Sequence, residues 1–502
     1  MTETSRGRVY LVGAGPGDPG LVTLRAVECL GRADLVLYDY LVNPQILEHA
    51  PETAELVCLG RHGQGRIVPQ EEINRRLVDE ARAGRTVVRL KGGDPAVFAQ
   101  GAEEAETLAT GGIDFEIVPG ITTALAAGSY AGIPITHRSL ASAVALVTGQ
   151  ESDEKQSPGL DFDALARFPG TLVVYMGVTT APRWSATLVA AGKPAETPVA
   201  VIRRCSWADQ TTIRCTLGEV SDVLAKAKLR PPAIVIIGPV TELAETLSWF
   251  NARPLFGRTV LVTRPHDGAR AMRDRLEESG ARVLAAPAIK ISDPADWAPV
   301  DAAIASLDRY RWLVFSSANG VHYFLHRLID TGHDMRRLGG VRLAAIGSAT
   351  AAALESYHLT ADLAPEQYRA EALAEALAPE VTGSRVLLAR ASLGREVLAD
   401  SLTAAGAEVD QVVVYQSTDV VTPNDEILEA LRAGRIDWIT ATSSAIARSL
   451  VNLYGDGLRK ARLVSISPLT STVLRDLGYP PAAEAAQYTT DGVVDAVLRG
   501  AK

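Results

Sequence analysis

Val9-Tyr10-Leu11-Val12-Gly13-Ala14-Gly15-Pro16-Gly17-Asp18-Pro19 sets the reading of the first half of the chain. Four residues of strand character run into a turn carrying Gly13, Gly15 and Gly17. A glycine-rich turn straight after a buried strand reads first as a dinucleotide site, where backbone approaches a pyrophosphate. The prolines oppose that reading. A pyrophosphate turn opens at once into a helix whose N-terminal N–H groups hold the phosphates. Pro16 and Pro19 each remove a donor and push the preceding residue away from helix. The next good helix start is Thr23, ahead of Leu24-Arg25-Ala26-Val27-Glu28-Cys29-Leu30. The turn is therefore a wide glycine-proline loop, better suited to a flat, uncharged or cationic ligand than to a pyrophosphate.

Outward from this loop, strand and helix signals alternate. Apolar runs recur at Leu35–Tyr38, Leu56–Leu59, Thr86–Leu90 and Phe115–Val118, with helical stretches at Gln70–Arg82 and Gly101–Ala109. A second segment carries runs at Ala143–Thr148, Thr171–Met176, Thr197–Ile202 and Ala233–Ile237, joined to the first at Gly120. This is an α/β pattern. Glu151–Leu160 reads as a polar surface loop, and Ser248–Gly257 as a linker.

After that stretch a new pattern occurs twice. Gly257-Arg258-Thr259-Val260-Leu261-Val262-Thr263-Arg264 resembles Gly383-Ser384-Arg385-Val386-Leu387-Leu388-Ala389-Arg390, and each is followed by a helix and a Gly-Ala strand start, at Gly280 and Gly406. Arg311–Ala318 resembles Asp437–Ser444, and Val341–Gly347 resembles Ala461–Ser467. The offset, on the order of 120–130 residues, exceeds any solenoid period. It predicts a duplicated α/β unit, two similar lobes with a cleft between them.

The 502 residues imply more than one domain, since single cores stop growing near roughly 250–300 residues. A net charge of −9 argues against general nucleic-acid binding. No run approaches a membrane span. The first eight residues lack a signal-peptide core, and four scattered cysteines suit a reduced, cytoplasmic protein. The eight histidines are read as lacking an HxxxH or related ligand spacing, the acids form no cluster, and residues such as His49, His333 and His358 read as structural, so no metal is expected.

Several groups in the first half carry possible chemistry. Tyr38-Asp39 places an acid at a strand end, either a ribose ligand or a solvated carboxylate. Gly60-Arg61-His62-Gly63-Gln64-Gly65-Arg66 is a basic loop. Arg89-Leu90-Lys91-Gly92-Gly93-Asp94-Pro95 ends a strand in two glycines that admit a ligand close to the backbone, or form a plain tight turn. Together with Pro69–Asn74, Gly120-Ile121-Thr122, Gly132–Arg138 and Tyr175-Met176-Gly177, these blocks make the segment from Val9 to about Thr246 resemble the uroporphyrinogen-III C-methyltransferases of the tetrapyrrole methylase family.

That resemblance implies a two-domain methylase fold over residues 1–247, with sub-domains at about 1–118 and 119–247 and a linker at 248–256. It implies S-adenosyl-L-methionine as methyl donor, S-adenosyl-L-homocysteine as by-product, and two methylations of uroporphyrinogen III to precorrin-2, for sirohaem or cobalamin. By motif match, Pro16, Gly92, Gly93, Asp94, Val97, Thr122, Thr123, Met176 and Cys205 contact the donor. Asp39 takes the position of the family's proposed base, and Arg61 that of a lysine proposed as proton donor. A guanidinium is a poor acid, so Arg61 is expected to hold a substrate carboxylate instead. Arg66, Arg89, Lys91, Arg138, Arg203 and Arg204 are further candidate carboxylate partners. A homodimer formed through this half is implied as well.

The second half resembles uroporphyrinogen-III synthase through Thr263-Arg264-Pro265, Phe315–Gly320, Ala345–Thr350, Val414-Tyr415 and Thr442-Ser443-Ser444. The resemblance implies a two-lobed fold over 257–502, one lobe from about 257–290 with 420–502 and the other from 293–415. It also implies cyclisation of hydroxymethylbilane to uroporphyrinogen III. Tyr415 matches a tyrosine proposed to help the hydroxyl leave, or is a core ring. Ser317, Ser443 and Thr470 are candidate substrate contacts. The expectation is thus a bifunctional enzyme acting on small tetrapyrroles. Alternatives are a methylase of a later corrin intermediate, an active methyltransferase whose second half only binds tetrapyrrole, and a nicotinamide-dependent enzyme.

Overall fold

The computed structural model describes residues 7–60, 68–151, 159–367, 369–393 and 396–501. The chain divides into two compact units, Met1–Gly257 and Arg258–Lys502.

The first unit opens with β1 (Arg8–Gly13), β2 (Leu35–Tyr38), β3 (Glu55–Cys58), β4 (Thr86–Lys91) and β5 (Asp114–Val118). They form one sheet in the order β3-β2-β4-β1-β5, every pair parallel. Both faces are covered, as an all-parallel sheet requires. Val9 and Leu11 pack on one face with Leu35, Leu37 and Val87, against Leu77 and Leu108 of the helices Gln70–Arg82 and Gly101–Thr110. Tyr10 and Val12 pack on the other face with Val36, Val88 and Leu90, against Leu30 of the helix Leu24–Leu30. Each such side chain, fully buried, contributes about 1.5–3 kcal/mol.

Five further strands follow: β6 (Val144–Thr148), β7 (Thr171–Tyr175), β8 (Pro198–Arg203), β9 (Thr211–Thr216) and β10 (Ala233–Ile237). Their order is β6-β7-β10-β8-β9, with β10 antiparallel to both its neighbours. The strand β9 is absent from the sequence reading. It pairs antiparallel with β8 at the sheet edge, and its half-exposed Thr-Thr-Ile-Arg-Cys-Thr has too few apolar residues to declare itself. Residues 152–158 of the expected loop lie outside the described residues.

The stretch read as a linker is packed against the first unit. Phe250 and Leu255 are buried, and Trp249 Nε1 donates to the Ser129 carbonyl at 3.0 Å. The rings of Tyr130, Trp249, Phe250 and Phe256 form a chain of tilted and edge contacts. A segment with this many aromatic residues holds large apolar area and docks rather than staying solvated.

The second unit contains β11 (Thr259–Val262), β12 (Arg282–Ala285), β13 (Ile289–Ser292), β14 (Trp312–Phe315), β15 (Arg342–Ala345), β16 (Arg385–Ala391), β17 (Glu408–Asp419), β18 (Trp438–Ala441), β19 (Arg462–Ser465) and β20 (Ala483–Glu484). They form two sheets, β12-β11-β18-β19-β20 and β13-β17-β16-β14-β15. The internal repeat maps onto both. Strands β12-β11-β18-β19 of one sheet correspond in order to β17-β16-β14-β15 of the other. Each sheet takes its halves from different copies of the repeat: β11 and β12 join β18 and β19, while β14 and β15 join β16 and β17. The exchange runs through β13 and the end of β17, where Ile289–Ser292 pair antiparallel with Asp419–Gln416.

Candidate functional site

In an all-parallel sheet the loops leaving the carboxyl ends of the strands gather at one edge, the usual place for a ligand. In the first unit these are the loops after β1, β2, β4 and β5. Four glycines hold the loops after β1, β4 and β5 together. A Cβ on Gly120 would stand 2.2 Å from the Gly93 carbonyl oxygen, and one on Gly13 would stand 2.5 Å from the Gly120 nitrogen. Gly15 and Gly93 exchange backbone hydrogen bonds of 3.1 and 2.7 Å. Gly15 and Gly93 also have φ of +72° and +71°, a region that favours glycine. At Gly13 and Gly120 no side chain fits between the backbones.

Asp94 clamps the same loops. Its Oδ1 accepts from the Ala96 N–H at 2.7 Å and its Oδ2 from the Gly120 N–H at 3.1 Å. Gly92, Gly93, Thr122 and Thr123 are brought together: a Cβ on Gly93 would lie 3.9 Å from both the Thr122 Cα and the Thr123 Oγ1. Val97 follows on the Asp94 turn, its N–H bonded to the Asp94 carbonyl at 3.2 Å. The second sheet supplies Tyr175, whose hydroxyl lies 2.6 Å from Thr122 Oγ1 and accepts from the Ala124 N–H at 3.1 Å. Burial raises the Tyr175 phenol above its ordinary range. Met176 follows with φ of +53° and an exposed side chain. Pro16 sits between Gly15 and Gly17, and Gly17 lies so close to the Trp207 indole that a Cβ would reach 2.0 Å from its Nε1. Cys205 is packed into the apolar cluster with Ala124, Ala127 and Ile236, and burial pushes its thiol up to about 12.

The Asp39 carboxylate is one end of a buried ionic cluster. Arg89 Nη2 reaches Asp39 Oδ1 at 2.6 Å. Arg89 Nε reaches Glu104 Oε1 at 3.0 Å, where Lys91 Nζ (2.8 Å) and Gln70 Nε2 (3.1 Å) also converge. Glu104 is 0% exposed, and its Oε2 is buried without a hydrogen-bond partner among the described residues. Burial lowers the Lys91 ammonium, with Arg89 adding to the effect and Glu104 opposing it. This corrects the expectation that Arg89 and Lys91 meet substrate carboxylates. Both point from β4 to the sheet face covered by the helix Gly101–Thr110, and a protein carboxylate already holds them. Arg138 is exposed, and Arg203 and Arg204 follow one another at the end of β8, with Arg204 stacked 4.2 Å over Trp207 and paired to Asp209 at 2.8 Å. Arg61 and Arg66 lie outside the described residues.

Sequence reasoning missed several groups around this recess. Glu104 looked like any helical glutamate. Tyr130 and Ser206 bind Asp18 of the opening loop, at 2.7 Å to its Oδ2 and 3.0 Å from its N–H. Phe98 lies with its ring 4.9 Å from that of Tyr175. The only available signal was their place inside or beside motif blocks.

In the second unit the candidate residues stand where strands give way to helices. Ser317, after β14, caps the helix Ala318–Asp330 through the Gly320 N–H at 3.0 Å. Ser443, after β18, caps the helix Ser444–Tyr454 through the Ile446 N–H at 3.1 Å. Ser467 caps the helix Pro468–Asp476, and the buried Thr470 places its Oγ1 3.2 Å from Ser467 Oγ. Tyr415 on β17 brings its hydroxyl to 3.1 Å from Ser317 Oγ, its ring against Tyr323. Burial raises its phenol and the Ser317 bond opposes this in part. The Tyr415 and Ser317 hydroxyls thus meet at the N-terminus of the helix Ala318–Asp330, which favours a developing negative charge.

His322 and His326 stand one helical turn apart with rings 6.5 Å apart, an HxxxH spacing that corrects the expectation that the histidines carry no such spacing. His322 Nδ1 is 3.1 Å from the Tyr357 hydroxyl. Among the described residues no group of three or more His, Cys, Asp or Glu could hold a metal ion, and no helix is long and apolar enough to cross a membrane.

Comparison with known proteins agrees with this division. The family model for tetrapyrrole (corrin/porphyrin) methylases matches residues 8–221, and that for uroporphyrinogen-III synthase HemD matches residues 270–495. The porphyrin biosynthesis protein HemD of Ruminiclostridium josui is 33% identical over 496 residues, 98% of both chains. The uroporphyrinogen-III C-methyltransferase of Bacillus subtilis is 39% identical over 333 residues, 66% of this chain and 68% of that one. An S-adenosyl-L-methionine-dependent uroporphyrinogen III methyltransferase of Methanosarcina barkeri is 46% identical over 241 residues, 48% of this chain and 94% of its own. The chain therefore belongs to the tetrapyrrole methylases in its first half and to the uroporphyrinogen-III synthases in its second.

Proposed function

We propose that this chain is a bifunctional enzyme of tetrapyrrole synthesis. The second unit cyclises hydroxymethylbilane to uroporphyrinogen III, and the first unit methylates that product twice to precorrin-2, for sirohaem or cobalamin. The observation that carries the reading is that one chain, matched along 98% of its length by a single relative, carries both sets of candidate residues at the carboxyl ends of parallel strands.

S-adenosyl-L-methionine, when bound, supplies the methyl group and leaves as S-adenosyl-L-homocysteine. The residues fit such a group. The cradle of Gly13, Gly15, Gly93 and Gly120 is bare backbone. The 3-10 turn Pro19–Leu21 at the end of the loop has its N-terminus taken by Asp18, whose Oδ1 accepts from the Gly20 N–H at 2.8 Å, and the next α-helix, Leu24–Leu30, is capped by Thr23 through the Ala26 N–H at 3.2 Å. The loop thus offers no helix N-terminus to a phosphate, in keeping with a sulfonium ligand. Pro16, Gly92, Gly93, Asp94, Val97, Thr122, Thr123 and Met176 line or support the recess, and Cys205 backs it from the core. Holding two reactants in line supplies much of the rate of such a transfer.

Asp39, with a side chain 33% exposed at the recess, takes the proton released when a pyrrole carbon is methylated. Arg61, Arg66 and Arg138 hold substrate carboxylates. In the second unit Tyr415 protonates the departing hydroxyl of hydroxymethylbilane, while Ser317, Ser443 and Thr470 contact the substrate beside three helix N-termini. The enzyme needs no metal, binds neither nucleic acid nor membrane, works in the cytoplasm, and pairs through its first unit. There Leu125, Leu247 and Trp249 are exposed along one groove, a surface suited to self-association.

Two assays separate the activities. With hydroxymethylbilane alone, the chain should yield isomer III of uroporphyrinogen; accumulation of isomer I at the uncatalysed rate would remove the synthase reading. With uroporphyrinogen III and S-adenosyl-L-methionine, two methyl groups should be incorporated; none would remove the methylase reading.

A further inference from the structure

We propose that Glu104 and Arg89 are positioning residues for the Asp39 carboxylate, an inference that rests on Asp39 being the base of the first unit. An aspartate at the end of a strand has several staggered χ1 wells open to it. Here one of its oxygens is fixed from inside the protein. The Arg89 guanidinium is itself held on every side. Nε bonds Glu104 Oε1 at 3.0 Å, Nη2 bonds Asp39 Oδ1 at 2.6 Å, and Nη1 donates to the carbonyls of Leu90 (3.2 Å) and Leu37 (3.5 Å). The Asp39 N–H is tied to the Leu90 carbonyl at 3.1 Å, so backbone and side chain of Asp39 refer to the same strand.

Glu104 makes this arrangement stable. Arg89 is 3% exposed, and a guanidinium so buried needs a carboxylate that water does not screen. Two carboxylates, Asp39 and Glu104, balance two cations, Arg89 and Lys91. Lys91 and Gln70 fix Glu104 Oε1 from the other side, and Gln70 is in turn held by Asn74 Oδ1 at 2.8 Å. A fork-shaped cation between a buried and a part-exposed carboxylate transmits geometry in a way a lysine cannot, because its donors lie in one rigid plane. A packing role would be complete with Glu104 alone. The further reach to a carboxylate at the mouth of the recess is what points to positioning.

The test uses the full chain, steady-state methylation of uroporphyrinogen III, and calorimetric binding of S-adenosyl-L-homocysteine. Glu104→Gln keeps the side-chain shape and an acceptor oxygen but removes the charge. It should lower kcat by about 10- to 100-fold, the scale of a misplaced reacting group. KM for the tetrapyrrole and affinity for S-adenosyl-L-homocysteine should stay within about twofold of the unaltered protein, since uniform binding is untouched. Arg89→Lys should show the same split, and it carries the test if Glu104→Gln does not fold. An unchanged kcat, or a loss appearing in KM or product affinity, overturns the proposal. Asp39→Asn is measured alongside. If it is as active as the unaltered protein, the base assignment falls and the proposal with it. If it is crippled while Glu104→Gln and Arg89→Lys are not, only the positioning proposal falls.

Discussion

In the first unit Gly13, Gly93 and Gly120 bring three loops into backbone contact, whereas in the second unit Ser317, Ser443 and Ser467 cap helices at the matching strand ends. Both sets of residues lie at the carboxyl ends of parallel strands. They differ in what the geometry demands of the sequence. Backbone packed at 2.2–2.5 Å from a would-be Cβ tolerates glycine alone. An N-cap accepts serine, threonine, aspartate or asparagine with little difference in stability. The first solution writes a sharp motif and the second a faint one. The resemblance of the methylase half therefore rests on long blocks of sequence, while that of the synthase half rests on short strand-end fragments and a duplication.

This contrast breaks first at Gly120. Gly120→Ala should abolish binding of S-adenosyl-L-homocysteine and methylation, because the atoms it strikes are backbone. The overpacking should cost about 1–3 kcal/mol, while formation of isomer III by the second unit continues. Binding at the original affinity would show that the glycine contact is not needed. Tyr415→Phe should lower cyclisation by roughly 10²–10⁴-fold, the range of a positioned acid, and leave methylation of added uroporphyrinogen III intact; an isomer assay with each substrate checks both halves of the statement. Ser443→Ala should be milder, costing about 0.5–2 kcal/mol as the loss of a cap, visible as a lower melting temperature. Ser317→Ala should match that loss and also slow cyclisation, because Ser317 Oγ is bonded to the Tyr415 hydroxyl. The smallest effect concerns thiols. In native protein at pH 8 the exposed Cys58 should react with a disulfide reagent, whereas buried Cys205, with its thiol raised to about 12, should react only on unfolding.

Much of the fold was legible because apolar alternation, and a glycine-proline loop directly after a strand, are each compatible with few backbone arrangements. The doubled pattern Trp312–Ala318 and Trp438–Ser444 revealed two related sheets before any contact was known. The pattern alone does not reveal that each sheet mixes halves of the two repeats, since pairing across the long separation from Val260 to Trp438 leaves no local mark; that arrangement came only with the resemblance, which implied a lobe of 257–290 with 420–502. The edge strand β9 was hidden by polar residues that suit a half-solvated edge. Trp249, Phe250 and Phe256 were read as a linker because proline and glycine surround them, although their rings have apolar area that water disfavours. At the site, Asp39 and the Gly92-Gly93 turn were visible as strand-end features. Glu104 was not, because a buried glutamate on a helix looks like a solvated one until its partners are known. The same ignorance turned Arg89 and Lys91 into surface cations. Their place in β4 was the available clue, since both faces of an all-parallel sheet are covered.

The central claim is that one chain makes a tetrapyrrole and then methylates it. The direct test is to incubate the full chain with hydroxymethylbilane and S-adenosyl-L-methionine alone and to follow the product by mass and absorption. The account predicts a dimethylated, ring-inverted tetrapyrrole, with two equivalents of S-adenosyl-L-homocysteine formed per macrocycle. Unmethylated uroporphyrinogen III would contradict the role of the first unit, and isomer I that of the second.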